Sequence, residues 1–155
     1  MSWRMRRAFG IDVTFAVPEI VGKARPRHNG KTGITYTPYK TRKAEQTVRS
    51  AVSQAIGARK YLAAFTGPVS LRVEVTRELA RSNPKFWAGR KDLGKPDWDN
   101  IGKLVCDALN GVAYKDDQQV FRAEVVKLPR VPHGHGNSLR VCLDYYQEIF
   151  EKENR

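Results

Sequence analysis

Five aspartates fall between Lys95 and Val120 of a chain that is otherwise strongly basic. The central run is Lys95-Pro96-Asp97-Trp98-Asp99-Asn100, followed by Lys103, Asp107 and the pair Asp116-Asp117. Carboxylates this close repel one another, and on a chain of net charge +12 such a cluster points to a bound divalent cation. Mg²⁺ suits the pattern, because it takes oxygen ligands and is usually held by a few carboxylates plus waters and substrate phosphates. Mn²⁺ is a natural substitute. A cation held there polarises a phosphoryl oxygen, lowers the pKa of a bound water and neutralises a departing alkoxide. Lys103, one helical turn beyond Asp99, is spaced to orient the attacking water or to counter charge building up at phosphorus.

Each acid also has a purely structural reading. Aspartate at a helix start is a common N-cap and suits the helix dipole, so Asp97 or Asp99 could be only that. Asp99 and Lys103 could form a plain i,i+4 ion pair worth a few tenths of a kcal/mol. Asp116-Asp117 could be an exposed turn. What argues against all three at once is their concentration in one short stretch of a basic protein.

The elements that must position these residues follow from periodicity. Phe9–Val17 places Ile11, Val13, Phe15 and Val17 on one side, the period of a strand. Pro18–Pro38 is a long basic loop with no periodicity. Thr41–Lys60 reads as a helix with an apolar stripe through Ala44, Val48, Val52 and Ile56, and Arg42, Arg49 and Arg59 elsewhere on its surface. Val69, Leu71, Val73 and Val75 alternate with polar residues as a second strand. Arg81–Gly94 is a basic, aromatic loop. A second helix runs from about Asp97 to Asn110, stops at Gly111, and carries the stripe Ile101, Leu104, Val105, Ala108 and Leu109. Asp99, Lys103 and Asp107 then share its opposite face. Gln119–Leu128 and Ser138–Tyr146 complete the strands. The order β-α-β-α-β-β predicts a single α+β domain over residues 1–155, a mixed sheet packed by two helices, with 1–8 and 148–155 flexible.

Bulk properties agree with a basic globular protein that grips a polyanion. Residues 1–60 carry 13 Lys and Arg against 3 Asp and Glu, whereas residues 92–117 carry 3 Lys against 6 Asp. No apolar run approaches the ~20 residues of a membrane span. The start of the chain alternates like a strand rather than forming a signal-peptide core. Cys106 and Cys142 make no CxxC, so free thiols in a cytoplasmic protein are expected. His28, His133 and His135 are too scattered for a zinc site. Pro96-Asp97 lacks the (D/E)xK of the PD…(D/E)xK nucleases, since Glu124 and Lys127 are spaced one residue too far apart.

The basic segments give candidate DNA contacts. Lys23, Arg25, Arg27 and Lys31 crowd one loop, and guanidinium groups suit bidentate phosphate contacts. Arg42 and Arg49 extend the track along the first helix, and Lys95 opens the acidic motif. Phe86 and Trp87, flanked by Lys85 and Arg90-Lys91, read either as a wedge that stacks on an opened base or as buried core. Trp98, inside the acidic motif, is expected to pack.

The run Lys95-Pro96-Asp97-Trp98-Asp99-Asn100, with Lys103, Asp107-Ala108-Leu109 and Asp116-Asp117-Gln118-Gln119-Val120, resembles the signature of RusA-type Holliday junction resolvases. Lys23-Ala24-Arg25-Pro26-Arg27 and Tyr36-Thr37-Pro38 fit that family's basic N-terminal segment. The resemblance extends from about Phe9 to Tyr146. It implies a Mg²⁺-dependent, homodimeric endonuclease that cuts four-way DNA junctions by paired nicks and works in the cytoplasm on the nucleoid. It further implies Asp97, Asp99 and Asp117 as metal-binding acids, Lys103 as the catalytic lysine, and Asp116 as a neighbour whose role is open. A two-fold dimer matches the two equivalent strands of such a junction. The alternatives are a non-enzymatic basic DNA-binding module and a metal nuclease of another family.

Overall fold

The chain is described by a computed structural model that covers residues 1–152. Its elements are β1 (Ser2–Val17), β2 (Arg27–Asn29), β3 (Ile34–Tyr36), α1 (Tyr39–Ile56), β4 (Val69–Thr76), α2 (Trp98–Leu109), β5 (Val120–Lys127) and β6 (Asn137–Glu151). Short 3-10 turns occupy Lys60–Ala64, Lys85–Trp87 and Asp117–Gln119. Four strands form one mixed sheet in the order β1-β6-β4-β5. The β1/β6 and β6/β4 pairs are antiparallel, and β4/β5 is parallel. Parallel neighbours need a crossover connection, and α2 is that crossover. This connectivity lays the acid-bearing helix across the sheet.

Alternation decides which sheet face is covered. Val69, Leu71, Val73 and Val75 of β4 and Leu139, Val141, Leu143 and Tyr145 of β6 are buried on one face. They meet Val48, Val52 and Ile56 of α1 and the predicted stripe Ile101, Leu104, Val105, Ala108 and Leu109 of α2. Each large aliphatic side chain so buried contributes about 1.5–3 kcal/mol. The opposite face is polar. There Arg140 bridges Asp12 (2.6 Å) and Glu74 (3.1 Å), and Arg72 bridges Glu74 (3.0 Å) and Glu124 (2.6 Å).

Four expectations need correction. Ser2–Arg7 belongs to β1, paired through Ser2↔Glu151, rather than to a flexible end, and β6 likewise runs on to Glu151. The polar composition of both ends hid the pairing, because each strand there supplies the other's hydrogen bonds without a core beneath. Of the tail expected to be flexible, residues 153–155 lie outside the described residues. The loop after β1 contains the β2/β3 hairpin, with Arg27↔Tyr36 in register. Finally, α1 stops at Ile56 because Gly57 follows with φ +57. Among the described residues, no helix is long and apolar enough to cross a membrane.

Candidate active site

The segment leading into α2 is held from three sides. Arg77 donates from Nε to Asp92 Oδ2 at 3.0 Å and from Nη1 to the carbonyl of Lys95. Lys127, at the end of β5, donates from Nζ to the carbonyls of Gly94 and of Pro96, the latter at 3.3 Å. From the β1 side, the Lys23 amide donates to the Asn100 carbonyl at 2.8 Å. Gly22 makes that approach possible, since a Cβ there would lie 2.8 Å from Pro96 Cβ and 3.0 Å from Asn100 Cβ. Burial alone would raise the pKa of Asp92, but Arg77, the Gly94 amide and Lys127 more than offset it and hold the carboxyl below its usual range.

Asp97 occupies the N-cap position of α2, yet its side chain makes no capping hydrogen bond. Its carboxylate is exposed and has no ion-pair partner among the described residues. The capping half of the structural reading of Asp97 therefore fails: at the position where a cap would be worth about 1 kcal/mol the carboxylate caps nothing, and only its charge suits the helix dipole. Asp99 follows in the first turn, and its Oδ2 lies 3.7 Å from Lys103 Nζ. A pair at that distance on the surface is weak and leaves the ammonium available.

The second acidic segment divides its labour. Gly111, with φ +69, turns the chain back from α2. Asp116 then forms a capping box: its Oδ1 accepts from the Gln118 amide at 2.9 Å, while Gln119 Oε1 accepts from the Asp116 amide at 2.9 Å. Gln119 Nε2 also donates to the carbonyls of Phe65 (2.7 Å) and Gly67 (2.9 Å). Asp116 and Gln119 thus build the turn, which leaves Asp117 for other work. Burial is the first cause that raises the Asp117 pKa, and the neighbouring carboxyls of Asp116 and Asp107 add to it. Burial, followed by the negative charge of Asp117 and Asp107, also pushes the Cys106 thiol up to about 11.

The acids form two groups. Asp97 and Asp99 stand at the head of α2, whereas Asp107, Asp116 and Asp117 gather at its far end. The 1.5 Å rise per residue sets Asp99 and Asp107 about 12 Å apart along the axis, with Lys103 midway on the same face. Among the described residues, no three His, Cys, Asp or Glu side chains are arranged to hold a metal ion. The expected closure of Asp97, Asp99 and Asp117 around one ion is thus not preformed. The donor set still suits a hard divalent cation. Asp97, Asp116 and Asp117 have no ion-pair partner among the described residues, the pairs near them being those of Asp99 and Asp107, and Mg²⁺ needs only one or two carboxylates when substrate phosphates complete its shell.

The charged state of Asp117 costs the folded protein something. A carboxyl whose folded pKa is raised becomes more expensive to keep as pH climbs through that value. Asp117→Asn should therefore raise the Tm of the metal-free protein at neutral pH by about 1–3 °C, less than 1 kcal/mol after solvent screening. Thermal melts at pH 7 and pH 4 check this, and the gain should shrink at the lower pH. A fall in Tm at pH 7 would show that Asp117 stabilises the fold.

The candidate DNA contacts fare unevenly. Every residue from Arg25 to Tyr36 is exposed, so Arg27 and Lys31 ride on an exposed hairpin and Arg25 leads into it. Arg42 and Lys95 are exposed as well. Lys23 is not free for DNA: its Nζ lies 2.5 Å from Glu45 Oε1 and 2.9 Å from Asp107 Oδ2, tying the post-β1 segment to both helices. Burial alone would lower its pKa, but these two carboxylates hold it above the ordinary range. Arg49 reaches the carbonyls of Ala108 (3.4 Å) and Asn110 (3.5 Å), which end α2. Phe86 is exposed, and Trp87 carries the Arg90 guanidinium 5.1 Å from its ring centroid. Trp98 does not pack as expected, because it projects past the end of the core stripe and is 63% exposed. The positioning roles of Arg77, Asp92 and Lys127 carry no local motif. The one hint in the sequence was a lone acid, Asp92, in a basic loop.

Two comparisons bear on this arrangement. The family model for "Endodeoxyribonuclease RusA" matches residues 18–135, a span that takes in the hairpin, both helices and the acidic turn. The chain is also 36% identical over 127 residues to "Uncharacterized protein YqaN" of Bacillus subtilis (strain 168), an alignment covering 73% of this chain and 87% of that protein. With the match spanning every acid of the candidate site, the chain belongs to the RusA endodeoxyribonuclease family, the family of Holliday junction resolvases, whose members generally use a divalent metal.

Proposed function

We propose that this protein is a Mg²⁺-dependent endonuclease that resolves four-way DNA junctions by paired, symmetric nicks. One observation carries the reading: Asp97 stands at a helix N-cap without capping, beside Asp99, in a chain of net charge +12. In this reading the carboxylates of Asp97 and Asp99, with DNA phosphates, supply the oxygens for the cation, Mn²⁺ can replace it, and Asp117, gathered with Asp107 at the other end of α2, joins them only if the two ends of the helix face are brought together on the bound DNA. Bound there, the cation would supply charge neutralisation at phosphorus and an acidified water. Lys103 projects its ammonium over the same helix face and steadies charge on the phosphoryl oxygens. The clamp by Arg77 and Lys127 fixes where Asp97 meets the phosphate. Asp116 keeps the turn that presents Asp117.

A homodimer follows from the substrate. Two equivalent strands of a four-way junction must be cut, and a two-fold pair of subunits presents two equivalent sites. The protein would act on DNA in the cytoplasm, at the nucleoid. The deciding experiment incubates a synthetic mobile junction with protein and Mg²⁺ and maps nicks on all four strands. Symmetric nicks on opposing strands are expected. No nicking with Mg²⁺ or Mn²⁺, with similar affinity for duplex and junction, would leave only a DNA-binding module. Equal cleavage of linear duplex would indicate a nuclease without structural selectivity.

Gripping the DNA should fall to the exposed hairpin and the residue that leads into it. Arg25→Gln and Arg27→Gln should each reduce the slope of log affinity against log salt by about 1. Lys23→Gln should leave the slope unchanged, because its ammonium is spent on Glu45 and Asp107. Fluorescence anisotropy across a salt series checks all three. A fall in slope for Lys23→Gln equal to that of Arg25→Gln would reverse the assignment.

A further inference from the structure

Resting on the junction reading above, we infer that Leu93 and Trp98, with Phe86 earlier in the same loop, form an apolar platform that receives unstacked nucleobases at the branch point. Leu93 is 91% exposed, Phe86 82% and Trp98 63%. Leu93 and Trp98 bracket the run Lys95–Asp97, one on each side of the first acid. Large apolar side chains are normally withdrawn from water when the backbone permits it. Here it does not.

The loop that carries them is tied down at several points. The Gly89 amide donates to the Arg130 carbonyl at 2.7 Å, and the Arg130 amide donates to the Arg90 carbonyl at 2.8 Å. Asp92 is buried against Arg77 and accepts from the Gly94 amide at 3.2 Å, and Leu93 between them is left in solvent. The Gly94 and Pro96 carbonyls accept from Lys127. Trp98 opens α2 and stays largely in solvent, while the buried stripe of that helix begins only at Ile101. A pinned loop that holds three apolar groups in solvent is preorganised for a ligand, since little freedom remains to be lost on binding.

The surroundings select the ligand. Lys85, Arg90, Lys91 and Lys95 are exposed along the same stretch, which favours a polyanion over an apolar peptide. Aromatic faces within a basic track are the usual receptors for unpaired bases, because every base offers a π-face. Linear duplex stacks every base pair on both faces, whereas stacking is interrupted between arms at the branch of a four-way junction, where a base is most easily unstacked. The platform therefore discriminates substrate shape, and it lies beside the acid that would do the cutting.

The test uses junctions and linear duplexes carrying 2-aminopurine, at the branch and at the matching duplex position, with full-length protein in chelator so that nothing is cut. Binding should raise the fluorescence of the branch probe and leave the duplex probe unchanged. The double variant Leu93→Ala/Trp98→Ala should lose that rise and bind junctions about ten- to hundredfold more weakly, while duplex affinity stays within about twofold. Trp98→Phe should restore most of the rise, which a folding defect would not allow. An undiminished rise in the double variant would overturn the inference, as would equal loss of duplex and junction affinity. The two proposals fail separately. A protein that cuts junctions but never unstacks a base retains its nuclease role without the platform. One that loses junction preference in the double variant, yet never nicks DNA, retains the platform without the nuclease.

Discussion

Asp97→Asn should cut the rate of junction nicking by at least about a thousandfold, a barrier increase near 4 kcal/mol, and leave junction affinity unchanged or slightly higher. The substitution conserves size and removes one negative charge from a surface meant to face phosphates, so binding has no reason to fall. The helix has little to lose either, because the carboxylate makes no capping hydrogen bond. Asp99→Asn should behave alike. Asp116→Asn is the informative contrast. Asparagine caps as well as aspartate, and Asp116 is occupied with the Gln118 amide. Its nicking rate should remain within about tenfold of wild type. Single-turnover cleavage of a labelled junction measures all three. Nicking by Asp97→Asn within tenfold of wild type would remove the acid from the reaction.

These contrasts could be framed only in part from the sequence. The strand and helix periods of Val69–Val75 and Ile101–Leu109 are strong, because burial on one face imposes them, and the structure keeps both. The acidic motif was legible for the same local reason: types and spacing along one helix fix which side chains share a face. Where Asp117 sits was not legible. It depends on the Gly111 turn, the Asp116–Gln119 capping box and the grip of Gln119 on Phe65 and Gly67, which are separated from it by more than fifty residues. Lys23 misled for a related reason. In the sequence it belongs to a basic run, and only the packing of α1 on α2 brings Glu45 and Asp107 to it. Trp98 looked like core because aromatic residues usually are, and nothing local reveals that the stripe ends one turn after it.

Asp92→Ala should be the most destabilising single change near the site. Asp92 has a side chain only 1% exposed, paired with Arg77 at 20%. Removing one member of such a pair leaves the other charge poorly solvated, at a cost of about 3 kcal/mol. For a chain of this length that corresponds to a Tm fall of roughly 6–12 °C. The pH dependence has a defined sign. The folded pKa of Asp92 lies below the ordinary aspartate range, because Arg77 and the Gly94 amide outweigh burial. Its contribution is therefore fully present above the unfolded pKa and is lost as pH falls through the folded one. Melting curves from pH 7 to pH 2 should thus show wild type and Asp92→Ala converging only in the acid limb. The effect should also reach the chemistry. Arg77 holds the Lys95 carbonyl as well as Asp92, so a guanidinium that loses its carboxylate no longer fixes the entry to Asp97. Well below its Tm, Asp92→Ala should nick junctions more slowly, by about tenfold to a hundredfold, with unchanged salt dependence of binding. An unchanged nicking rate in a clearly destabilised variant would confine the clamp to holding the fold and release it from placing the acid.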